Sequence, residues 1–218
     1  MARPRSFDED SALDAATTLF WLHGYEAASV RDLGATMGLG AASLYNAFGG
    51  KRALFRRCLD RYLDGGLRAR TARLERDLPP RKAIETFLRE ILALSRLDRR
   101  GCLMVNSMLE AAGSDGDIGT VLREGLAELE RFFSRCLQAG QRDGSIAGDG
   151  SPADIARLLV AAVMGLRILA RARASPALLE GATRQALALL GPRGPAGIGR
   201  RAPPSRAART REPGCRRP

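Results

Sequence analysis

Side chains suited to hydrogen-bonding with nucleic-acid bases occur three residues apart in one short segment of this chain. The segment is residues 38–51, GLGAASLYNAFGGK, and its polar groups include the hydroxyl of Ser43 and the amide of Asn46. In a helix these two would share one face, while Leu44 and Phe48 would lie on the other. An asparagine amide can grip the edge of adenine with two hydrogen bonds. We therefore predict a short helix that enters a groove of DNA.

A second short helix is predicted immediately upstream. Ser29 and Asp32 have the spacing of a capping box, in which side chains satisfy the free amides of a helix start. Val30, Leu33 and Met37 give that helix one buried face. Two short helices joined by a glycine-containing turn make a helix-turn-helix, whose second helix lies in the major groove.

Residues 20–54 resemble the amino-terminal DNA-binding domain of the TetR family of repressors. The matching elements are Phe20, the Gly24-Tyr25 turn, the Ser29-Val30 cap, Gly38, the Ser43-Leu44-Tyr45 run, Phe48, Lys51 and Leu54. The resemblance implies an all-α fold in which an amino-terminal three-helix DNA-binding domain precedes a helical ligand-binding and dimerisation domain. It also implies a ligand-released repressor that binds an inverted-repeat operator in double-stranded DNA as a homodimer.

The resemblance divides the DNA contacts between two kinds of residue. Phosphate contacts are expected from Ser29, Tyr45 and Lys51, although Tyr45 could instead be a packing residue. Base contacts are expected from Ser43 and Asn46, with Arg31 reaching from the preceding helix as a further candidate. Relatives often carry a polar or basic side chain among the positions of Gly40, Ala41 and Ala42, so base specificity here is expected to be modest.

The net charge of +11 is not the evidence for DNA binding, because most of it lies outside the first domain. Residues 1–60 carry seven basic and seven acidic side chains, whereas residues 191–218 carry eight arginines against Glu212. A local cluster of Lys51, Arg52, Arg56 and Arg57 directly follows the predicted reading helix. A local cluster of this kind would attract DNA phosphates.

Apolar periodicity predicts helices along most of the remaining chain, about nine in all. We expect them at residues 8–23, 51–74, 81–97, 102–112, 117–143, 153–174 and 176–190, besides the two short helices. The predicted division is a DNA-binding domain at 1–50, an effector-binding and dimerisation domain at 51–190, and a disordered Arg/Pro/Gly-rich tail at 191–218. The helix that begins at residue 51 would act as a lever between the domains.

The predicted helix over residues 153–174 is apolar on nearly two sides, so it needs two surfaces to pack against. We predict that one side meets its own domain and that the other meets a second subunit, together with the last helix. The predicted dimerisation residues are Ile155, Leu158, Leu159, Ala162, Leu166, Leu169, Leu179 and Ala186.

Cys102 opens a predicted helix just after Arg99 and Arg100, and both features favour a reactive thiolate. The run Gly101-Cys102-Leu103 resembles a TetR branch in which some members sense electrophiles or oxidants through a cysteine at this position. Cys102 could equally be a small buried packing residue. The expected effector is a small apolar or electrophilic molecule, and the pocket candidates besides Cys102 are Phe87, Ile91, Met104, Met108, Leu129 and Phe133.

Other functional classes find little support in the sequence. Four scattered cysteines and the single His23 fit no usual metal-ligand spacing, and no phosphate loop or dinucleotide fingerprint is present, so neither a metal, a cofactor nor an enzyme is expected. No apolar run is long enough to span a membrane, and the first ten residues lack an apolar signal region, which predicts a cytoplasmic protein. Two alternatives remain: a non-specific DNA-binding protein that uses its Arg-rich tail, and a helical enzyme or small-molecule-binding protein without operator specificity.

Overall fold

The computed structural model describes residues 7–110 and 116–191, and every regular element within these ranges is a helix. The helices are α1 (Glu9–His23), α2 (Val30–Met37), α3 (Ala41–Phe48), α4 (Lys51–Leu63), α5 (Ala69–Asp77), α6 (Pro80–Leu97), α7 (Leu103–Glu110), α8 (Asp117–Arg142), α9 (Pro152–Arg171) and α10 (Pro176–Ala188). A π-helical segment, Asp64–Arg68, joins α4 to α5. The predicted all-α fold is confirmed. Apart from Gly191, the predicted tail lies outside the described residues.

Helices α1 to α4 enclose a first hydrophobic core. Phe20 of α1 packs edge-on against Phe55 of α4, with ring centroids 4.7 Å apart. Leu33 of α2 and Leu44 of α3 are fully buried in the same core. Short helices are marginal in isolation, so it is this burial that holds α2 and α3 in place.

Helix α4, the π-helical segment and α5 form one continuous rod from Lys51 to Asp77. The sequence predicted an uninterrupted helix here, and the rod differs from that expectation in the hydrogen-bond register of Asp64–Arg68. Gly65 and Gly66 lie in this segment, and glycine is a poor former of regular α-helix. Counted as one rod, α4 and α5 bring the described part of the chain to the expected nine helices.

A second core lies among α5, α6, α8, α9 and α10. At its centre Phe87 of α6 meets Phe132 and Phe133 of α8, with all three ring centroids 5.2–5.3 Å apart. None of the helices within the described ranges is long and apolar enough to cross a lipid bilayer.

The two cores are tied together by α7 and the start of α8. Leu103 of α7 and Leu122 of α8 are buried in the first core rather than the second. Arg52 pairs with Asp117 at 2.6 Å, and the side chain of Glu110 accepts a 2.7 Å hydrogen bond from the amide of Tyr25. Helices α1 to α4 are therefore in direct contact with the rest of the protein.

Candidate nucleic-acid interface and effector cavity

The helix-turn-helix is formed by α2, a short turn and α3. Ser29 caps α2, and Gly38 ends it in the left-handed conformation at φ 67°. That φ favours glycine over residues with a side chain. The amide of Leu39 then donates to the carbonyl of Gly34 at 2.8 Å, which closes the turn before α3 begins.

Helix α3 has a buried side and an exposed side, as its sequence predicts. Leu44 and Phe48 are buried, whereas Ser43, Tyr45 and Asn46 are exposed. Tyr45 is 55% exposed, which favours a contact role over packing inside the domain. The exposed residues of its first turn, Ala41, Ala42 and Ser43, are small, which allows this end of α3 to approach another surface closely.

Ser29 is already engaged by its own helix. Its hydroxyl accepts from the amide of Asp32 at 3.1 Å and donates to the Asp32 carboxylate at 2.6 Å. These bonds hold the pKa of the Asp32 carboxyl below its usual value, with the Ser29 hydroxyl as the main cause. A phosphate contact by Ser29 would therefore compete with the capping box. Arg31, beside it, is exposed.

Lys51 lies at the first residue of α4, beside α3. Its ammonium donates to the carbonyl of Glu26 at 3.2 Å and lies 4.5 Å from the centroid of the Tyr25 ring. Neither α3 nor α4 has a side-chain cap, since Gly40 and Gly50 precede them, whereas Ser29 caps α2. Uncapped helix amides can donate to phosphate oxygens.

Cys102 lies just before α7 and is partly exposed. The hydroxyl of Tyr62, near the end of α4, donates to its sulfur at 3.4 Å. The Tyr62 ring meets Trp21 of α1 edge-on at 5.0 Å, and the Arg100 guanidinium lies 4.0 Å from the Trp21 centroid. Burial, and then the neighbouring Cys102, raises the pKa of Tyr62. The cysteine thus contacts a cluster that reaches into the DNA-binding domain.

Gly101 supports this arrangement at the turn before Cys102. Its φ is +82°, and an added Cβ would lie 3.2 Å from Cβ of Arg171 and 3.1 Å from the Asn106 side chain. Both the conformation and the space therefore favour glycine at this position.

A cavity opens between the rod and the second core, directly beside Cys102. The space open to the centre of a water molecule is about 70 Å³. Its lining residues are Tyr62, Leu63, Gly66, Leu67, Arg70, Phe87, Ile91, Leu94, Cys102, Met104, Leu129, Val163, Met164 and Arg167. Two of these, Gly66 and Leu67, belong to the π-helical segment.

Five of the seven predicted pocket residues lie on this cavity: Phe87, Ile91, Cys102, Met104 and Leu129. The other two do not line it: Met108 packs on the first core, and Phe133 is fully buried in the second. The sequence did not single out Tyr62 or Arg167 as pocket residues. An arginine within an apolar helical run was the available signal for Arg167.

The other two described cysteines are buried away from this cavity. Burial raises the pKa of Cys58 to about 11 and that of Cys136 to about 12. Both are free thiols, and Cys215 lies outside the described residues. Within residues 7–110 and 116–191 no three His, Cys, Asp or Glu side chains are grouped to hold a metal.

The predicted dimer surface needs a correction. Leu159, Leu166, Leu179 and Ala186 are buried within the protomer, because α9 packs against α6, α8 and α10 at once. Leu158 is 52% exposed, and Ile155, Ala162 and Leu169 are partly buried. Two large apolar side chains that the sequence analysis did not select, Ile168 and Leu178, are also exposed on α9 and α10.

Comparison with family models matches both parts of the chain. Residues 12–58 match a model described as bacterial regulatory proteins of the tetR family. Residues 80–186 match one described as a tetracyclin repressor-like carboxy-terminal domain. Together the two matches span more than half of the 218 residues.

Individual relatives agree with the family models. The HTH-type transcriptional repressor ComR of Escherichia coli strain K12 is 36% identical over 179 residues, which are 79% of this chain and 84% of ComR. A solved structure of a cysteine-substituted TetR family regulator, CifR, with a 26-base-pair double-strand operator DNA is 33% identical and has a TM-score of 0.76, covering 85% of this chain and 98% of CifR. The reduced form of E. coli NemR shares the fold at 21% identity and a TM-score of 0.72, covering 81% of this chain and 93% of NemR.

Assignment to the branch that carries the Gly101-Cys102-Leu103 motif stays a prediction. Membership of the family itself rests on matches in both domains and on the length of the ComR and CifR similarities. This chain belongs to the TetR family of DNA-binding transcriptional regulators, which is not a family of enzymes.

Proposed function

We propose that this regulator is a repressor that binds an inverted-repeat operator as a homodimer and leaves it when a small effector occupies the cavity beside Cys102. The observation that carries the proposal is that α4 contributes to both sites. Lys51 begins α4 next to α3, and Tyr62 lies near its other end on the cavity wall. A displacement of α4 would therefore change the position of the DNA-reading face and the shape of the cavity together.

On the DNA side, Ser43 and Asn46 read base edges, with Arg31 as a further contact from α2. Phosphates are contacted by Tyr45, Lys51 and Ser29, and these contacts fix the position of the protein along the duplex. The exposure of Ser43, Tyr45 and Asn46 on one helix supports this division.

In the homodimer, the outer face of α9 and α10 meets its symmetry copy through Leu158, Ile168 and Leu178. Their exposure of 52%, 44% and 50% supports this choice, because these are the large apolar side chains that α9 and α10 leave exposed in the protomer. Residues 1–50 read DNA, and residues 51–190 bind the effector and form the dimer. A two-fold dimer presents two α3 helices and therefore requires an inverted repeat.

The effector is a small apolar or electrophilic molecule, and the mainly apolar lining of the cavity supports this class. Cys102 is the residue that an electrophile would modify. Modification there would disturb the Tyr62 hydrogen bond and, through Trp21, the packing of α1. The effector then acts by favouring a spacing of the two reading helices that no longer fits the operator.

Several named relatives support repression. ComR and DhaR, the latter from Mycobacterium sp. strain GP1, are called HTH-type transcriptional repressors, and CifR has been solved with operator DNA. A regulator of bacterial genes works on DNA in the cytoplasm, which is the location we propose.

The test is selection of bound duplexes from a random pool, followed by footprinting. An inverted repeat protected on both half-sites together is the expected result. A chain that lacks residues 192–218 should keep its preference for the selected duplex over random DNA. Equal binding to all duplexes, lost on removal of the tail, would replace the proposal with the non-specific alternative.

A further inference from the structure

Arg167 is a buried cation in the second half of α9. The residue is 5% exposed. One terminal nitrogen of its guanidinium donates to the hydroxyl of Ser95 at 3.2 Å, and the other donates to the carbonyl oxygen of Gly101. Both acceptors are neutral, so they do not compensate the positive charge.

No carboxylate within the described ranges, 7–110 and 116–191, makes an ion pair with Arg167. Asp98 lies close enough to be influenced by this charge, but its carboxylate is held by Arg100 at 2.7 Å. An arginine keeps its proton at every physiological pH, so it cannot relieve burial by becoming neutral. A buried charge without a partner is costly, and a guanidinium has more N–H donors than these two acceptors use.

Arg167 also lines the cavity beside Cys102. Among the lining residues are two arginines and no acidic residue. Arg70 is ion-paired with Glu90 at 2.9 Å, a carboxylate that it shares with Arg73. Arg167 is therefore the arginine of the wall that has no ion-pair partner within residues 7–110 and 116–191. The other polar groups of the wall are the Tyr62 hydroxyl and the Cys102 thiol, and most of the remainder is apolar.

We propose that Arg167 is an anion-binding group and that the cavity takes a small monocarboxylate with a short apolar chain. The planar guanidinium matches a carboxylate, and the apolar wall suits the chain. A space of about 70 Å³ corresponds to roughly two water molecules at about 30 Å³ each, so the wall must widen to admit the ligand and the chain is limited to a few carbons. The proposal rests on the effector role given to this cavity above, and it adds a carboxylate end to the mainly apolar effector proposed there.

The first experiment compares a charged probe with its neutral isostere. Binding of sodium butyrate and of butyramide to the full-length protein is measured by calorimetry at matched ionic strength. Butyrate should bind more tightly by about tenfold or more, as expected for a hydrogen bond to a charged group. Equal affinities, or no binding by any member of the series from butyrate to octanoate, would overturn the proposal.

Variants then assign the effect to Arg167. Arg167→Gln should remove the preference for butyrate over butyramide, and Arg167→Lys should keep part of it because the charge remains. Arg70→Gln is the matched control: it removes an arginine from the same wall, but one already paired with Glu90, so the preference should persist. Cys102→Ser should also retain butyrate binding, because the negative charge that pairs with Arg167 is carried by butyrate and not by Cys102. If Arg167→Lys and Arg167→Gln were both folded and bound butyrate like the wild type, Arg167 would have only a structural role at the Gly101 turn.

Operator release is measured separately, so that the two ideas fail in different ways. If butyrate binds through Arg167 but leaves operator affinity unchanged, the anion site stands and the effector role of the cavity falls. If a thiol reagent or a neutral ligand releases the operator while no carboxylate binds, the effector role stands and the anion site falls.

Discussion

The hydroxyl of Tyr62 donates a 3.4 Å hydrogen bond to the sulfur of Cys102, joining the end of α4 to the start of α7. The same tyrosine packs edge-on against Trp21 of α1. A chemical change at Cys102 therefore acts directly on α4, whose first residue lies beside the DNA-reading helix, and on the packing of α1.

Modification of Cys102 is the first prediction. All proteins in this experiment carry Cys215→Ser, so that the fourth cysteine of the sequence does not react. One equivalent of N-ethylmaleimide at pH 7.5 should then alkylate Cys102 in the folded protein and spare Cys58 and Cys136, whose thiols are buried and have raised pKa values. Operator affinity should fall with the extent of alkylation, as followed by mass spectrometry and fluorescence anisotropy. Cys102→Ser should be insensitive to the reagent. Complete alkylation of Cys102 with unchanged operator affinity would rule out the sensor role.

Asn46→Ala should reduce sequence discrimination. Loss of a bidentate contact to a base costs about 1–3 kcal/mol on the correct sequence. Binding to the selected operator should weaken accordingly, while binding to a random duplex should stay the same, because Asn46 is exposed and its truncation should leave the fold intact. Competition titrations with both duplexes measure the ratio. An equal loss on the two duplexes would mean that Asn46 does not read a base.

Lys51→Ala should weaken binding to operator and random duplexes alike. Removing one phosphate contact lowers the slope of log K against log salt by about 1. The matched control is Arg73→Ala, which removes a cation from α5, where it pairs with Glu90 in the second part of the protein. A salt titration of each variant gives the slopes. If Arg73→Ala changed the slope as much as Lys51→Ala, the effect would be one of net charge rather than of contact.

Local signals in the sequence were sufficient to predict the helix-turn-helix. The Ser29 cap, the turn at Gly38 and the alternation of Leu44 and Phe48 with exposed residues all act within a few positions of the chain. Each forms as expected, because capping and short-range burial depend on neighbouring residues.

The cavity and the dimer surface depend on contacts between distant segments. Tyr62 meets Cys102 across 40 positions, and Arg167 reaches Gly101 across 66. Spacing along α9 cannot tell whether an apolar side chain faces its own core or a partner, so Leu159 was assigned to the dimer although it is fully buried in the protomer. The packing of the whole domain decides that choice.

Alkaline pH should destabilise the protein through its buried thiols. Burial raises the pKa of Cys58 to about 11 and that of Cys136 to about 12, against about 8.5 for an unfolded cysteine. Between these values the folded state holds more protons than the unfolded state, so their contribution is complete below about pH 8.5 and is lost as the pH rises toward the folded values. Urea unfolding is measured at pH 7.5, 9 and 10. The unfolding free energy should decline less with rising pH in the double variant Cys58→Ala/Cys136→Ala than in the wild type. Parallel declines would show that other groups govern alkaline stability.

Neighbouring leucines on α9 should give opposite results in association and stability. Leu158 is 52% exposed and Leu159 is fully buried. Leu158→Glu should yield a folded monomer in sedimentation, because a charge on the outer face opposes contact with a second copy. Leu159→Ala should cost about 2–5 kcal/mol in unfolding free energy, because it leaves a cavity in the core, but should still form dimers while folded. Since operator binding needs two reading helices, Leu158→Glu should also lose most operator affinity. A stable Leu158→Glu dimer would place the interface elsewhere on the protein.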